Sequence, residues 1–231
     1  MQLFYAPDIA TNPELPEEEA RHAVRVLRLT AGSEILLTDG KGSLYKAVID
    51  QATAKHCTVS ITEKQQQPPL WDFHLHIAVA PTKNIDRVEW FCEKATEIGI
   101  DAITCLDCRY SERRDIKTNR LEKILVSAMK QSQKAVVPHL AGMTPFNDFI
   151  RLPFAGRKFI AHCEEGEKKL IKQTYRPGEN VLVLIGPEGD FSSEEIQSAI
   201  HQGFEPISLG NSRLRTETAA LAACMTIHVL N

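Results

Sequence analysis

The stretch Val181-Leu-Val-Leu-Ile-Gly-Pro-Glu-Gly-Asp-Phe-Ser-Ser-Glu-Glu-Ile196 decides the fold. Five aliphatic residues run together without alternation. Such a run is a strand covered on both faces, the pattern of a parallel sheet. It stops at Gly186-Pro187. Ser192, followed three residues later by Glu195, is a capping box that opens a helix. A strand, a short glycine-containing loop and a helix form one step of a βα repeat.

The same alternation extends in both directions. Upstream, "FHLHIAVAP" reads as a strand and "DRVEWFCEKATEIG" as a helix with Val88, Phe91, Cys92, Ala95 and Ile98 on one face. "IDAITCLDC" is a strand, "NRLEKILVSAMKQSQ" a helix, and "RKFIAHC" a strand. Downstream come the helix "SSEEIQSAIHQG", the strand "EPISLG" and the helix "TETAALAACMTIHVL". Strands alternating with helices imply a parallel α/β sheet covered on both faces. The last helix is apolar nearly all round. It is either a central core helix or one shared between the core and a subunit interface.

The first third differs. "SEILLTDGKGSLYKAVID" places β-forming runs on either side of the turn Asp39-Gly40-Lys41-Gly42, and "HCTVSITEK" alternates as a further strand. "PEEEARHAVRVLRL" reads as a short helix with acids in its first turn. "KQQQPPL", Lys64–Leu70, is polar and ends in two prolines. It divides the chain into a β-rich part, 1–68, and an α/β part, 69–231.

Bulk properties bound the function. The chain has 231 residues, 43% hydrophobic and 25% charged, with a net charge of -3. Any nucleic-acid surface must therefore be local. The N-terminus lacks a basic segment followed by an apolar run, and no stretch reaches the ~18 apolar residues of a membrane helix. Six dispersed cysteines suit reduced thiols, so a cytoplasmic location is expected. Cys105 and Cys108 form a C-x-x-C. No second ligand pair stands out, which favours buried thiols over a metal or redox site.

In parallel α/β sheets, ligands sit at the carboxyl ends of strands. Two such ends stand out: Ile185 running into Gly186-Pro187-Glu188-Gly189, and Leu209-Gly210 running into "NSRLRTETAA". The first lacks the lysine of a phosphate loop and the spacing of a dinucleotide fingerprint. Glu188 and Asp190 would repel a polyphosphate, so a neutral or cationic ligand fits better. Capping of the helix is an equal reading for Asp190. The second end sets Arg215 and Glu217 between threonines at a helix start. They read either as a cap with a local ion pair or as a polar cluster aimed at a substrate.

Two basic tracts stand out. Residues 109–134 hold eight basic side chains (Arg109, Arg113, Arg114, Lys117, Arg120, Lys123, Lys130, Lys134) against three acids, a local balance of +5. Arg21, Arg25 and Arg28 share one helical stripe. Both tracts fit phosphate contact. Pairing with Glu17 and Glu18 is the alternative for the second.

"LIGPEGDFSSEEI" followed by "GFEPISLGNSRLRTETAALAA" resembles the RsmE family of 16S ribosomal RNA uridine-N3 methyltransferases, of the SPOUT superfamily. "HAVRVLRLTAG", "EKATEIGI" and "AMKQSQK" match further family elements, so the resemblance covers nearly the whole chain. It implies an N-terminal PUA-like β-barrel that binds RNA, and a C-terminal α/β domain with a trefoil knot. It implies S-adenosylmethionine as cofactor, a homodimer, and 16S rRNA in the small ribosomal subunit or its precursor as partner, with no metal and no membrane. The cofactor pocket would draw on Leu184, Ile185, Gly186, Pro187, Glu188, Gly189, Leu209, Gly210, Leu214, Arg215, Thr218 and Ala219. Arg215, Glu217 and Gln131 are the catalytic candidates. The RNA contacts would come from Arg21, Arg25, Arg28, Arg109, Arg113, Arg114, Lys117, Arg120 and Lys134. The chain departs from the family pattern at Asp190 (usually Gly), Arg213 (usually Ile) and Lys134 (usually Arg). A non-catalytic RNA-binding relative, a methyltransferase of another RNA and a thiol or zinc enzyme are the rival readings.

Overall fold

β10 (Val181–Ile185) is buried at all five positions. Each aliphatic side chain so covered contributes about 2 kcal/mol. The computed structural model describes residues 2–231. It places β10 inside a seven-stranded sheet of order β7-β6-β5-β10-β8-β11-β9, with every pairing parallel. The other strands are β5 (Leu75–Val79), β6 (Ala102–Asp107), β7 (His139–Pro145), β8 (Arg157–Ala161), β9 (Lys169–Leu170) and β11 (Glu205–Ser208). Helices α2 (Ile85–Ile98), α3 (Thr118–Gln131), α6 (Ser193–His201) and α7 (Thr216–Leu230) fall where the alternation places them. Short α4 (Phe146–Phe149) and α5 (Ile171–Thr174), with β7 and β9, were not legible as periodic segments.

The chain divides into two compact units: Met1–Leu70 with Val126–Val137, and Trp71–Leu125 with Pro138–Asn231. In the first unit β1 (Leu3–Tyr5), β2 (Glu34–Thr38), β3 (Ser43–Ala52) and β4 (Cys57–Gln66) form a four-stranded sheet in that order. The β2–β3 hairpin turns at Asp39–Gly42, as the sequence predicts. The first residues of the polar tract, Lys64–Gln66, complete β4, and the two units part at the tract's end, after Leu70. Gln66 pairs with Ser43, whose hydroxyl also meets the Gln66 side chain at 3.3 Å. The single early helix is α1 (Glu17–Arg21) followed by one π turn, His22–Val26. Residues 126–137 join this unit through Ala135. Its carbonyl accepts from Thr38 Oγ1 at 3.1 Å, and its N–H donates to Gln67 Oε1 at 2.7 Å.

In the second unit α7 packs on α2 and on the central strands β5 and β10. Ala220, Ala223, Cys224 and Ile227 make its buried face. Near its end His228 Nε2 meets the Gly99 carbonyl at 2.7 Å, and the ring packs edge-on against Trp71 and Phe73. Gly99 closes α2 with φ of 140°, and a Cβ there would meet His228 and Trp71 at 2.8 Å. Only glycine suits that position. On the opposite side of α7, Met225 and Val229 are exposed, 49% and 70% respectively. Among the described residues no helix is long and apolar enough to cross a membrane.

Candidate functional site

The carboxyl ends of β5, β6, β8, β10 and β11 are tied together by backbone-directed side chains. The Gly186–Asp190 loop supplies several of these ties. Glu188 Oε1 accepts from the Lys83 N–H at 3.0 Å, on the loop after β5. Asp190 Oδ2 accepts from the Cys163 N–H at 2.6 Å, on the loop after β8. Asp190 has φ of 66°, the left-handed region that Asp tolerates better than most residues. The Gly186 carbonyl accepts from Thr216 Oγ1 at 3.0 Å, which fixes the start of α7. A Cβ at Gly186 would meet the Phe191 ring at 3.1 Å and its backbone nitrogen at 3.2 Å. Arg113 holds the Thr82 and Lys83 carbonyls at 3.1 and 2.8 Å. Glu195, inside the Ser192 capping box, also accepts from the Arg109 N–H at 2.8 Å.

On the sequence alone these acids suit a neutral or cationic ligand, or, for Asp190, a helix cap. Both carboxylates are engaged by backbone N–H groups of neighbouring strand-end loops. This is a bracing role, and it needs acceptors more than it needs charge.

Beside the brace lies an open cleft of about 510 Å³. Leu209, Gly210, Leu214 and Ala219 line it, with Ser208, Asn211, Ser212 and Arg213. Its other wall is Ala161, the last residue of β8, with His162, Cys163 and Lys168 after it. Sequence reasoning named no residue of that wall. The only signal for it was that "RKFIAHC" ends a strand. Leu184, Ile185, Gly186 and Pro187 are buried rather than lining, because β10 is covered on both faces. Glu188 and Gly189 are exposed beyond it. Gly210 has φ of 131°, and a Cβ there would meet nothing within 4 Å, so its backbone faces open space. The volume falls within the range of small-molecule sites.

Two groups at the start of α7 have chemical potential. Glu217 is buried; its Oε1 lies 4.0 Å from Arg87 Nε, and its Oε2 has no hydrogen-bond partner. A buried carboxylate oxygen without a donor is costly unless a ligand supplies one. Arg87, at the opening of α2, was not singled out from the sequence. Arg215 and Thr218 are exposed, and the Arg215 guanidinium meets no partner among the described residues. Gln131 is the exposed last residue of α3 and belongs to the first unit.

The basic tracts are unequal in free charge. Arg21 pairs with Glu17 at 2.7 Å, whereas Arg25 and Arg28 are exposed without side-chain partners among the described residues. Arg114 binds Asp107 at 2.6 Å, Arg120 binds Glu89 at 2.7 Å, and Arg109 lies 3.6 Å from Glu194. Lys117 is exposed and free of such pairing, while Lys134 is half-buried. Cys105 and Cys108 are both buried. Burial pushes the Cys105 thiol up to about 12 and the Cys108 thiol higher still. Neither is a ready nucleophile or metal ligand. Among the described residues no three His, Cys, Asp or Glu side chains cluster as metal ligands.

A family model described as an RNA methyltransferase domain matches residues 69–228, and one described as an RNA methyltransferase PUA domain matches residues 15–62. The chain belongs to the RNA methyltransferase family. A crystal structure of a probable rRNA-methyltransferase from Porphyromonas gingivalis is 47% identical, with a TM-score of 0.95, and covers 100% of this chain and 98% of that one. The ribosomal RNA small subunit methyltransferase E of Neisseria gonorrhoeae, solved bound to S-adenosyl methionine, is 26% identical with a TM-score of 0.88, covering 100% and 98%. The enzyme of that name from Mycobacterium bovis is 26% identical over 241 residues, 99% of this chain and 91% of its own. Within its class the chain is thus of the RsmE family.

Proposed function

We propose that this chain transfers a methyl group from S-adenosylmethionine to N3 of a uridine in 16S rRNA, within the small ribosomal subunit or its precursor. The observation that carries the reading is the junction of a nucleoside-sized cleft with the polar start of α7. There, Leu214 and Ala219 line the cleft while Arg215 and Glu217 stand beside them. The residues present fit the cofactor. The lining joins apolar side chains (Leu209, Leu214, Ala219) and the open backbone of Gly210 to polar groups, His162 Nδ1 is buried without a partner, and no phosphate-binding lysine loop is built.

When bound, S-adenosylmethionine supplies an electrophilic methyl carbon and departs as a neutral thioether. The protein's task is to make N3 nucleophilic and align it. Uracil N3 carries a proton between two carbonyls. Glu217 Oε2, buried and without a donor, accepts that proton or holds the N3–H group. Arg215, cationic and unpaired, stabilises the negative charge that then spreads onto the uracil oxygens. Arg87, whose Nε lies 4.0 Å from Oε1, helps orient Glu217. Gln131 remains a third candidate for substrate contact. Leu209, Gly210, Leu214 and Ala219 contact the cofactor directly. Leu184–Gly189 act from behind, through the Gly186–Thr216 bond.

Residues 1–68 act as the PUA-like RNA-binding part and 69–231 as the methyltransferase part, whose chain is knotted. Arg25, Arg28 and Lys117 carry most of the free positive charge for phosphate contact. The enzyme is cytoplasmic and works as a homodimer. Support for the dimer comes from Met225 and Val229, one helical turn apart on the exposed side of α7.

Turnover and cofactor binding of Arg215→Ala and Glu217→Ala test the site. Both should bind cofactor and lose more than tenfold in turnover, roughly what removal of a positioned charge or base costs. Normal turnover in both variants sinks the assignment.

A further inference from the structure

Within the cleft one polar atom has no explanation in the fold. His162 follows β8, and its Nδ1 is buried without a hydrogen-bond partner. The backbone around it is fixed. Lys168 Nζ donates to the His162 carbonyl at 2.9 Å, and the next N–H, of Cys163, donates to Asp190. The chain that carries the ring is therefore held in place while the ring nitrogen stays unsatisfied. Buried polar atoms are rarely left so, and one that lines a cleft is explained by the ligand that fills it.

We propose that His162 is a cofactor-contact residue, its Nδ1 forming one hydrogen bond with a hydroxyl or amino group of the cofactor's nucleoside. The proposal rests on the reading of the cleft as an S-adenosylmethionine site. The nucleoside is favoured because His162 is flanked in the lining by Ala161 and Ile207, an apolar floor for a flat heterocycle. The charged lining residues Lys168 and Arg213 suit a carboxylate instead. The imidazole is also in a fitting charge state. Burial, then the neighbouring Lys168, lower its pKa, against the opposing pull of Asp190 and Glu164. A neutral ring can bond a hydroxyl or amine without repelling a sulfonium.

Calorimetric titration of the full chain with S-adenosylhomocysteine tests this. His162→Ala should weaken binding about tenfold, the cost of one buried hydrogen bond. His162→Asn, whose amide reaches the place of Nδ1, should stay within about threefold of wild type and confirm an intact site. The alanine loss should reappear when 5′-methylthioadenosine, which lacks the amino-acid part, displaces the bound ligand. Unchanged affinity in His162→Ala overturns the inference. So do equal losses in the alanine and asparagine variants, or a failure of 5′-methylthioadenosine to compete with wild type. If the wild-type chain binds neither S-adenosylmethionine nor S-adenosylhomocysteine, the reading of the cleft itself has failed.

Discussion

Glu188 and Lys83 lie 105 positions apart in sequence, yet the Glu188 carboxylate accepts the Lys83 backbone N–H at 3.0 Å. This bond links the strand-end loops of β10 and β5, neighbours in the sheet. It makes Glu188 a brace. A glutamine also presents an acceptor oxygen, so Glu188→Gln should bind cofactor as wild type does. Glu188→Ala should lose up to about 1 kcal/mol of stability in urea denaturation, since the bond is solvent-exposed. A tenfold loss of cofactor affinity in Glu188→Gln alone would show that the charge matters.

Asp190 combines a left-handed backbone with the bond to Cys163. Asp190→Ala should therefore lose twice, through the strained φ and through the missing acceptor, about 1–2 kcal/mol in all. Asp190→Asn keeps both features and should unfold at nearly the wild-type denaturant midpoint. Asp190→Gly relieves the backbone but frees the loop after β8. It should fall between them. An alanine variant as stable as wild type contradicts this account.

His76 gives the fold an acid sensitivity. It bonds Thr104 Oγ1 at 2.9 Å, and burial, followed by His74 and His139, pushes its pKa down to about 4. In the unfolded chain it titrates near 6.5. Between these values the unfolded state binds more protons, so stability falls as pH drops from 6.5 to 4 and levels below that. The contribution at neutral pH is on the order of 3 kcal/mol. Denaturation midpoints at pH 7 and pH 5 should differ less in His76→Gln than in wild type. An identical pH dependence in the two proteins would refute the assignment.

The exposed stripe of α7 makes the oligomer testable. Val229 is 70% exposed, so a charge there leaves the monomer's core intact. Val229→Asp and Met225→Glu should sediment as monomers, where wild type sediments as a dimer. A wild-type monomer, or dimers in both variants, removes the proposed interface.

Much of this was legible in the sequence because period and punctuation agree. The β10 run, the Ser192–Glu195 box and the Asp39–Gly42 turn each encode their structure locally. The strand character of Lys64–Gln66 was hidden because the partner of Gln66, Ser43, sits 23 residues away and a polar edge strand looks like loop, whereas the division of the chain at the end of this tract was legible. β9 and α5 are too short to show a period. In the site, the cleft's far wall was invisible. Ala161, His162, Cys163 and Lys168 acquire meaning only when β8 takes its place between β10 and β11. The roles of Glu188 and Asp190 were hidden for the same reason, since each answers a backbone N–H from a distant loop. Arg87 became visible only beside Glu217.

The central claim is that this chain methylates N3 of a uridine in small-subunit rRNA. The direct measurement is incubation of the protein with S-adenosylmethionine labelled on the methyl group and isolated, unmethylated small ribosomal subunits, followed by mapping of the modified base. The account predicts label in a single uridine of 16S rRNA, at N3, abolished by Glu217→Ala. Label in another base or another RNA, or no transfer from a chain that binds the cofactor, would contradict it.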